Sequence, residues 1–219
     1  MNLSSLTFIP DLPTFLAYTG ASLLLFLTPG PDMSLWLSRT ITSGRNAGLA
    51  TLVGTNLGCV VHTLLAAFGV SALIAASHTG FLMLKIFGAV YLLWLAVDAV
   101  RNGSSLNVAT TGAKSVSTLN SFLMGLSVNL TNPKVVLFFI TFLPQFISAS
   151  DPDARAKLLF LGLYFVALNT PLAILLILGA EKLVDWLKSR KRVLRGIDFT
   201  FAGVFAIFAV KIAFTQGRG

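Results

Sequence analysis

Two short segments of the sequence place a charged residue directly after proline inside a long apolar stretch. Residues 27–32 read LTPGPD, and residues 130–135 read LTNPKV. Proline cannot donate a backbone hydrogen bond and its ring clashes with the preceding turn, so each segment is predicted to break a helix. A carboxylate or an ammonium group beside freed backbone groups can bind a ligand of opposite charge, and this is the chemistry that these residue types allow.

The first segment contains four candidate binding residues. Pro29 and Pro31 each remove a backbone donor, and Gly30 between them permits a bend. Asp32 is then predicted to begin a second half-helix, where the helix dipole favours a carboxylate. A carboxylate at this depth in a membrane can also meet a cation or take up a proton.

The second segment repeats this arrangement with the opposite charge. Asn132 and Pro133 form the break, and Lys134 follows them. If the two halves of the chain fold over one another, Lys134 approaches Asp32, and an ion pair would offset part of the desolvation of both charges. The alternative is that the prolines are packing kinks and that both charged side chains extend to water. Breaks at corresponding positions of two halves favour a binding site.

Two asparagines are further candidates for contacts with a ligand. Asn56 lies between Gly54 and Gly58, whose spacing permits close helix packing, and its amide can bond either a ligand or a neighbouring helix. Asn169 and Pro171 are predicted to make a comparable polar break, with the same two interpretations.

Two titratable residues are candidates for moving protons. Lys85 lies inside the third apolar stretch, where it either serves a proton or anion pathway or extends to the membrane surface. His62 can titrate near neutral pH, although a histidine packed in the core is the alternative.

The composition indicates whether these residues lie in water or in a membrane. Of 219 residues, 55% are hydrophobic and 11% are charged, and the mean hydropathy is +0.84. This balance is typical of an integral membrane protein. The net charge of +8 comes largely from short connections such as KSRKRVLR, which indicates contact with lipid headgroups and no nucleic acid. Cys59 is the single cysteine, which excludes an intramolecular disulfide.

The apolar stretches predict an all-α membrane protein with six spans in a single membrane domain. The spans are drawn at residues 13–39, 47–76, 79–100, 118–147, 156–180 and 196–215. A polar linker at 101–117 separates a first repeat at about 13–100 from a second at about 118–215. The pentapeptides FGAVY from Phe87 and FAGVF from Phe201 support the repeat, with chance similarity as the alternative. Repeats of three spans must insert with inverted topology, as in many secondary transporters.

The basic residues predict the orientation of the chain. They concentrate in the connections on one side of the six spans, which is therefore predicted to be cytoplasmic, with both termini on the outer side. The N-terminal segment MNLSSLTFIPDLP has no basic region of the kind that precedes a signal peptide, so the first span is predicted to be retained.

Four sequence blocks in order resemble those of one transporter family. They are TPGPD, RTITSGRNAGLATLVGTNLG, LKIFGAVYLLWLAVDAVR and FLMGLSVNLTNPKVVLFFITFLPQFI. Over nearly its whole length the chain resembles the lysine exporter (LysE) superfamily, and within it the RhtB group, named for resistance to homoserine and threonine. The family pattern maps onto Pro29, Gly30, Pro31, Arg39, Gly44, Gly48, Gly54, Lys85, Gly88, Tyr91, Leu92, Asn129, Asn132, Pro133, Lys134 and residues 144–146.

The resemblance implies a multi-pass exporter of amino acids or their derivatives in the bacterial inner membrane. It further implies that the proton-motive force drives export by antiport and that the protein is a homo-oligomer. A neutral substrate such as homoserine, threonine or leucine is expected. No cofactor, metal site or enzymatic activity is expected, because the sequence contains no HExxH, GxSxG or phosphate-binding glycine loop.

A zwitterion needs partners for an ammonium group and for a carboxylate. We expect Asp32 with freed carbonyls to bind the ammonium group, and Lys134 with freed amides to bind the carboxylate. Proton uptake by Asp32 would release the ammonium group, with His62 as the reserve candidate. The alternative function is a cation or metal-ion transporter or channel on the same fold, although one Cys, two His and four Met are few soft ligands. A membrane scaffold or an intramembrane enzyme is a third possibility.

Overall fold

The computed structural model describes residues 8–102, 116–148, 151–180 and 190–215, together with 182, 184 and 186, and every regular element in them is helical. The helices are α1 (Leu12–Leu27), α2 (Pro31–Ser43), α3 (Arg45–Leu65), α4 (Ser71–Ala76), α5 (His78–Asn102), α6 (Thr118–Thr131), α7 (Pro133–Leu137), α8 (Ala154–Leu178) and α9 (Lys191–Thr215). A π-helical turn at Ala66–Val70 joins α3 to α4. A second at Phe138–Phe142, followed by a 3₁₀ turn at Leu143–Phe146, extends α7.

Several of these helices are suited to cross a bilayer. Three apolar stretches are long enough, namely Arg45–Leu73, Leu82–Arg101 and Ala154–Leu178. Two bent pairs, α1 with α2 and α6 with Pro133–Phe146, raise the number to five if each pair is one span. The all-helical membrane class is confirmed for the described residues. The sixth predicted span lies in α9, which is not among these five, so the number six and the inverted repeat stay predictions.

The two predicted helix breaks are present and have similar geometry. The chain bends by 50° between α1 and α2, and by 53° between α6 and α7. Thr28 and Asn132 end α1 and α6 in nearly the same conformation, with φ and ψ of −75° and 111° for Thr28 and −71° and 108° for Asn132. Each following helix has a proline at its first position, which is suited to that place because the first N–H of a helix has no intrahelical acceptor.

The break predicted in the fifth span is wrong. Helix α8 continues through Pro171 without interruption. Side chains on its inner turns bond to backbone carbonyls: Asn169 Nδ2 donates to Phe165 O at 2.9 Å, and Thr170 Oγ1 donates to Val166 O at 2.6 Å. A single proline of this kind is tolerated in a membrane helix.

Helices α3 and α6 pack with their backbones in contact, as the spacing of small residues in α3 predicts. A Cβ atom on Gly54 would lie 2.1 Å from the carbonyl oxygen of Phe122, and one on Gly125 would lie 2.2 Å from that of Thr51. A Cβ on Gly58 would lie 2.3 Å from Oδ1 of Asn129. Because backbone atoms cannot move aside as side chains do, this contact fixes α6 against α3.

Replacing Gly125 by alanine is therefore expected to lower the melting temperature of the purified protein by about 5 °C or more, since overpacking costs roughly 1–3 kcal/mol. The matched control is Gly203→Ala on α9, where a Cβ would meet nothing within 4 Å. That variant should keep or slightly raise the melting temperature, because alanine favours a helix more than glycine does. Equal melting temperatures for both variants in detergent would contradict the close contact.

Two apolar clusters form the core. The larger contains Tyr18, Phe139 and Phe205 and draws residues from α1, α3, α5, α7, α8 and α9. The smaller is built around Trp36 and Ile177 and draws residues mainly from α2, α3 and α8. Members of both clusters line the cavity described below, which therefore lies where the two clusters meet.

Two predictions fall partly outside the described residues. Most of the predicted linker, at 103–115, lies there, so the structure does not test the division into two repeats. Lys85 lies in α5, but its side chain is outside the described part of the structure.

Candidate functional site

A cavity of about 70 Å³ lies beside the two helix breaks. A water molecule needs roughly 10–15 Å³ of such space, so the cavity has room for several waters or a small polar ligand. Its walls come from α1, the α1–α2 break, α2, α3, α6, α7 and α8. Most of the residues predicted to bind substrate line it, namely Gly30, Asp32, Asn56, Asn132, Lys134 and Asn169.

The three prolines that were predicted to bind substrate do not lie in the described cavity lining. Pro29, Pro31 and Pro133 are absent from the cavity lining among the described residues and shape the two breaks instead. Gly30 has an extended backbone, with φ of −159°, so the bend arises over the whole break and does not depend on a conformation reserved for glycine. The carbonyl of Pro133 accepts a hydrogen bond from the Tyr91 hydroxyl at 3.4 Å.

Asp32 is held by two amide side chains from the other break. Asn129 Nδ2 donates to Oδ2 of Asp32 at 2.6 Å, and Asn132 Nδ2 donates to Oδ1 at 2.9 Å. Both carboxylate oxygens therefore accept a hydrogen bond from α6 or its end. Asp32 also lies in the first turn of α2, where the helix dipole favours a negative charge.

Lys134 compensates the break in the first half of the chain. In a continuous helix the carbonyl of Leu25 would accept a hydrogen bond from the N–H of residue 29, which is proline. Lys134 Nζ donates to this carbonyl at 2.9 Å and to the carbonyl of Thr28 at 2.6 Å. An ammonium group at the C-terminal end of a helix is also favoured by the helix dipole.

Asp32 and Lys134 thus approach each other across the cavity without a direct ion pair between these two described residues. Asn132 lies between them: its Nδ2 donates to Asp32, and its Oδ1 accepts from the backbone N–H of Lys134 at 3.1 Å. The carbonyls freed in the first break are occupied by Lys134. They are therefore not open to an ammonium group of a ligand, contrary to the sequence-based expectation.

His62 lies beside the second break, as Lys134 lies beside the first. Pro133 cannot donate to the carbonyl of Asn129, and His62 Nε2 lies 3.3 Å from that carbonyl oxygen. A hydrogen bond to this carbonyl requires a proton on Nε2, and Nδ1 is buried without a hydrogen-bond partner among the described residues. His62 is 3% exposed and stacks on Phe139. This environment agrees with the packed-histidine interpretation, and the structure does not test a role in proton transfer.

The two candidate asparagines lie on the wall formed by α3 and α8. Asn56 Nδ2 donates to Thr170 Oγ1 at 2.9 Å, which joins the two helices. Asn169 donates its Nδ2 to the carbonyl of Phe165, while its Oδ1 is buried and has no hydrogen-bond partner in the described part of the chain. A buried acceptor without a partner is costly, so Oδ1 of Asn169 is suited to accept a hydrogen bond from a ligand in the cavity.

Most of the remaining lining is apolar and includes Phe26, Trp36, Leu52, Val135 and Phe165. Trp36 is held in place by a hydrogen bond from its Nε1 to Thr55 Oγ1 at 3.0 Å. The cavity therefore offers a negative group, a positive group and an apolar surface within a short distance, which suits a small zwitterion with an apolar or weakly polar side chain.

Sequence reasoning missed two residues near this site. Asn129 was named only as part of the family pattern, although it precedes Asn132 by three residues and thus faces the same side. Asp198, a carboxylate in the apolar part of α9, is 2% exposed. Its presence in a predicted span was the available signal. Among the described residues, no group of three or more His, Cys, Asp or Glu side chains is placed to hold a metal ion.

Comparisons with known proteins show the family of the chain. The family described as LysE type translocator matches residues 23–216. A homoserine/homoserine lactone efflux protein of Salmonella typhimurium is 28% identical over 90% of this chain and 94% of its own length. A leucine efflux protein of Klebsiella pneumoniae is 29% identical over 92% and 95%. An uncharacterized membrane protein of Vibrio cholerae is 31% identical over 73% and 77%. No solved structure shows a significant match.

Proposed function

The chain belongs to the family of LysE type translocators, and on this premise we propose that it exports small neutral amino acids or their derivatives from bacterial cells. The observation that supports this proposal most strongly is a cavity at the two helix breaks, which is lined by one carboxylate, Asp32, and one ammonium group, Lys134. Relatives named for efflux of homoserine and of leucine support the substrate class. The sequence-based recognition of the family is confirmed.

The charges of the cavity favour a zwitterion. We assign the substrate ammonium group to Asp32 and to Oδ1 of Asn169, and the substrate carboxylate to Lys134. A lysine or arginine substrate would bring a second cation for which the described cavity lining has no second carboxylate. Its transfer from water would therefore be costly, and the apolar wall around Phe26 and Trp36 would receive the side chain of a neutral amino acid.

The membrane arrangement is part of the same proposal. We place the protein in the inner membrane with six spans in two inverted repeats and with both termini outside. The equal bends of 50° and 53° and the shared proline at the start of α2 and α7 support the repeat. Export by exchange with protons and assembly as a homo-oligomer follow from the family resemblance.

The test is exchange transport by the purified protein in proteoliposomes. Vesicles loaded with one unlabelled amino acid should take up the same amino acid in labelled form when the substrate is leucine, homoserine or threonine. Lysine should exchange at least about tenfold more slowly, as rejection by an unpaired charge predicts. Lysine exchange at the rate of leucine would contradict the zwitterion site. Electrical current through the vesicles without any amino acid would favour the alternative of an ion-conducting protein.

The same assay examines Asn169. Asn169→Ala removes the acceptor that we assign to the substrate ammonium group and should raise the half-saturating concentration of leucine about tenfold, since a hydrogen bond to a charged group contributes roughly 1.5–3 kcal/mol. Thr200→Ala serves as control, because Thr200 is an exposed residue of α9 that bonds only within its own helix, to the carbonyl of Gly196. An unchanged half-saturating concentration in Asn169→Ala would remove Asn169 from the site.

A further inference from the structure

A second buried carboxylate lies near Lys134 but outside the substrate cavity. Asp198 on α9 is 2% exposed and is not among the described residues that line the cavity. It is outside the sequence blocks that carry the family resemblance. An ionisable residue that is buried within an apolar helix of a membrane protein is rare, and such residues mark ion or proton pathways more often than they serve packing.

Helix α9 brings Asp198 to the side of Lys134. The ammonium group of Lys134 lies 5.7 Å from the ring centroid of Phe201, which is itself 2% exposed. Phe201 follows Asp198 by three residues, so both side chains face the same side of α9. The charges of both Asp198 and Asp32 act on that of Lys134. One lysine is thus influenced by a carboxylate inside the cavity and by another outside it.

Other titratable groups near Asp198 lie on α9 itself and on the helices that pack against it. Arg195, one turn before Asp198, donates to the carbonyls of Ala99 and Val100 at the end of α5. The hydroxyl of Tyr18 on α1 donates to the carbonyl of Leu161. The remaining titratable side chains described on α5 and α7 are Tyr91, Asp98, Arg101 and Lys134. Of these cations, Lys134 is the one that also contacts the substrate cavity.

We propose that Asp198 is the carboxylate that takes up the coupling proton, while Asp32 is kept for the substrate. This inference rests on the proposed function as an amino-acid and proton antiporter. When Asp198 is ionised, it shares the positive charge of Lys134, so Asp32 is left to hold the substrate ammonium group. When an Oδ of Asp198 takes up a proton, Asp32 alone balances Lys134, and the substrate ammonium group is released. Proton and substrate then exclude one another, which antiport requires.

The hydrogen bonds of Asp32 support this division of roles. Both of its oxygens accept from amide NH₂ groups, of Asn129 and Asn132. These groups can only donate, so the O–H of a protonated Asp32 would need an acceptor other than these two amide groups. Asp32 is therefore built to remain an acceptor, whereas the position of Asp198 outside the cavity lets it change its charge without touching the substrate.

The experiment compares two transport modes of the purified protein in proteoliposomes, with leucine as the probe. Exchange of leucine for leucine needs no net proton movement, whereas accumulation driven by a pH gradient does. Asp198→Asn has the charge of the protonated residue, so it should raise the half-saturating concentration of leucine about tenfold while exchange at saturating leucine stays within about twofold of the unaltered protein. Gradient-driven accumulation should fall about tenfold or more, because no proton can be taken up at position 198. Asp32→Asn should lose both modes. Asp98→Asn, the same chemical change on the neighbouring helix α5, should keep both.

Several outcomes would overturn the proposal. Gradient-driven accumulation that is unchanged in Asp198→Asn shows that the proton binds elsewhere. Loss of exchange even at saturating leucine, in an Asp198→Asn protein that remains monodisperse, shows a structural role and contradicts the proposal. If Asp198→Asn does not fold, Asp198→Glu decides: a shifted pH dependence of accumulation supports the role, and an unchanged one contradicts it. Absence of any leucine exchange by the unaltered protein would instead refute the proposed function.

Discussion

Replacement of Asp32 by asparagine is expected to reduce amino-acid transport about a hundredfold while leaving the protein folded. The substituted amide has no negative charge for the substrate ammonium group, and removing one partner of a buried charge pair costs roughly 2–5 kcal/mol. It also has a single oxygen for the two amide donors of Asn129 and Asn132, which now bond both oxygens of the carboxylate. Transport is therefore expected to fall for every neutral substrate, not for one alone.

The measurement is leucine exchange at equal amounts of reconstituted protein, with the melting temperature recorded for each variant. Asp153→Asn is the matched control, because it makes the same chemical change just before α8, outside the described cavity lining. That variant should transport normally. Undiminished exchange in Asp32→Asn would show that the carboxylate does not bind the substrate.

Replacement of Lys134 by methionine should reduce the free energy of unfolding by roughly 3–5 kcal/mol, in addition to abolishing transport. Methionine nearly fills the space of lysine but donates no hydrogen bond, so the carbonyls of Leu25 and Thr28 would be left without their donor. Asp32 would also lose the nearby positive charge.

The control for Lys134 is Lys157→Met. Lys157 forms an ion pair with Asp151 over 2.5 Å, with the two side chains 20% and 12% exposed. An ion pair near the surface contributes about 0–1 kcal/mol, so the melting temperature should change little. The double variant Asp32→Asn with Lys134→Met should recover part of the lost stability, because no carboxylate at position 32 is left without its counter-charge, yet it should not recover transport. Equal melting temperatures for Lys134→Met and Lys157→Met would contradict the role of Lys134 at the break.

The sequence was sufficient to locate both helix breaks, because a proline removes a backbone donor and a charged residue beside it is costly in an apolar stretch unless the helix opens there. It also predicted that Lys134 approaches Asp32 if the two halves of the chain fold over one another, and both side chains line the same cavity. It was not sufficient to predict how they meet, because the partners of Lys134 are backbone carbonyls and every residue has one. Which carbonyl is reached depends on the positions of α1 and α7 in three dimensions.

The missed residues show the same limit. Asn129 and Asn132 bind Asp32 only because α6 packs against α3 through Gly54 and Gly125, which aligns α6 with the start of α2. Asp198 lacks any motif of its own, and its relation to Lys134 arises from the packing of α9. The predicted break at Pro171 was wrong because a membrane helix tolerates a single proline, which removes one backbone hydrogen bond without opening the helix.

The way in which the two breaks are compensated has a consequence for biosynthesis. Lys134, from the second half of the chain, bonds to the carbonyl that Pro29 frees in the first half, and His62, from the first half, approaches the carbonyl that Pro133 frees in the second. The first half therefore does not hold the donor for the carbonyls of its own break, whereas in the second half the carbonyl of Asn129 also accepts from the backbone N–H of Asn132 at 3.2 Å. When the ribosome has delivered only the first half to the membrane, the carbonyls of Leu25 and Thr28 still lack Lys134, and this half must wait for its partner, with water or with an insertase or chaperone, before it becomes stable.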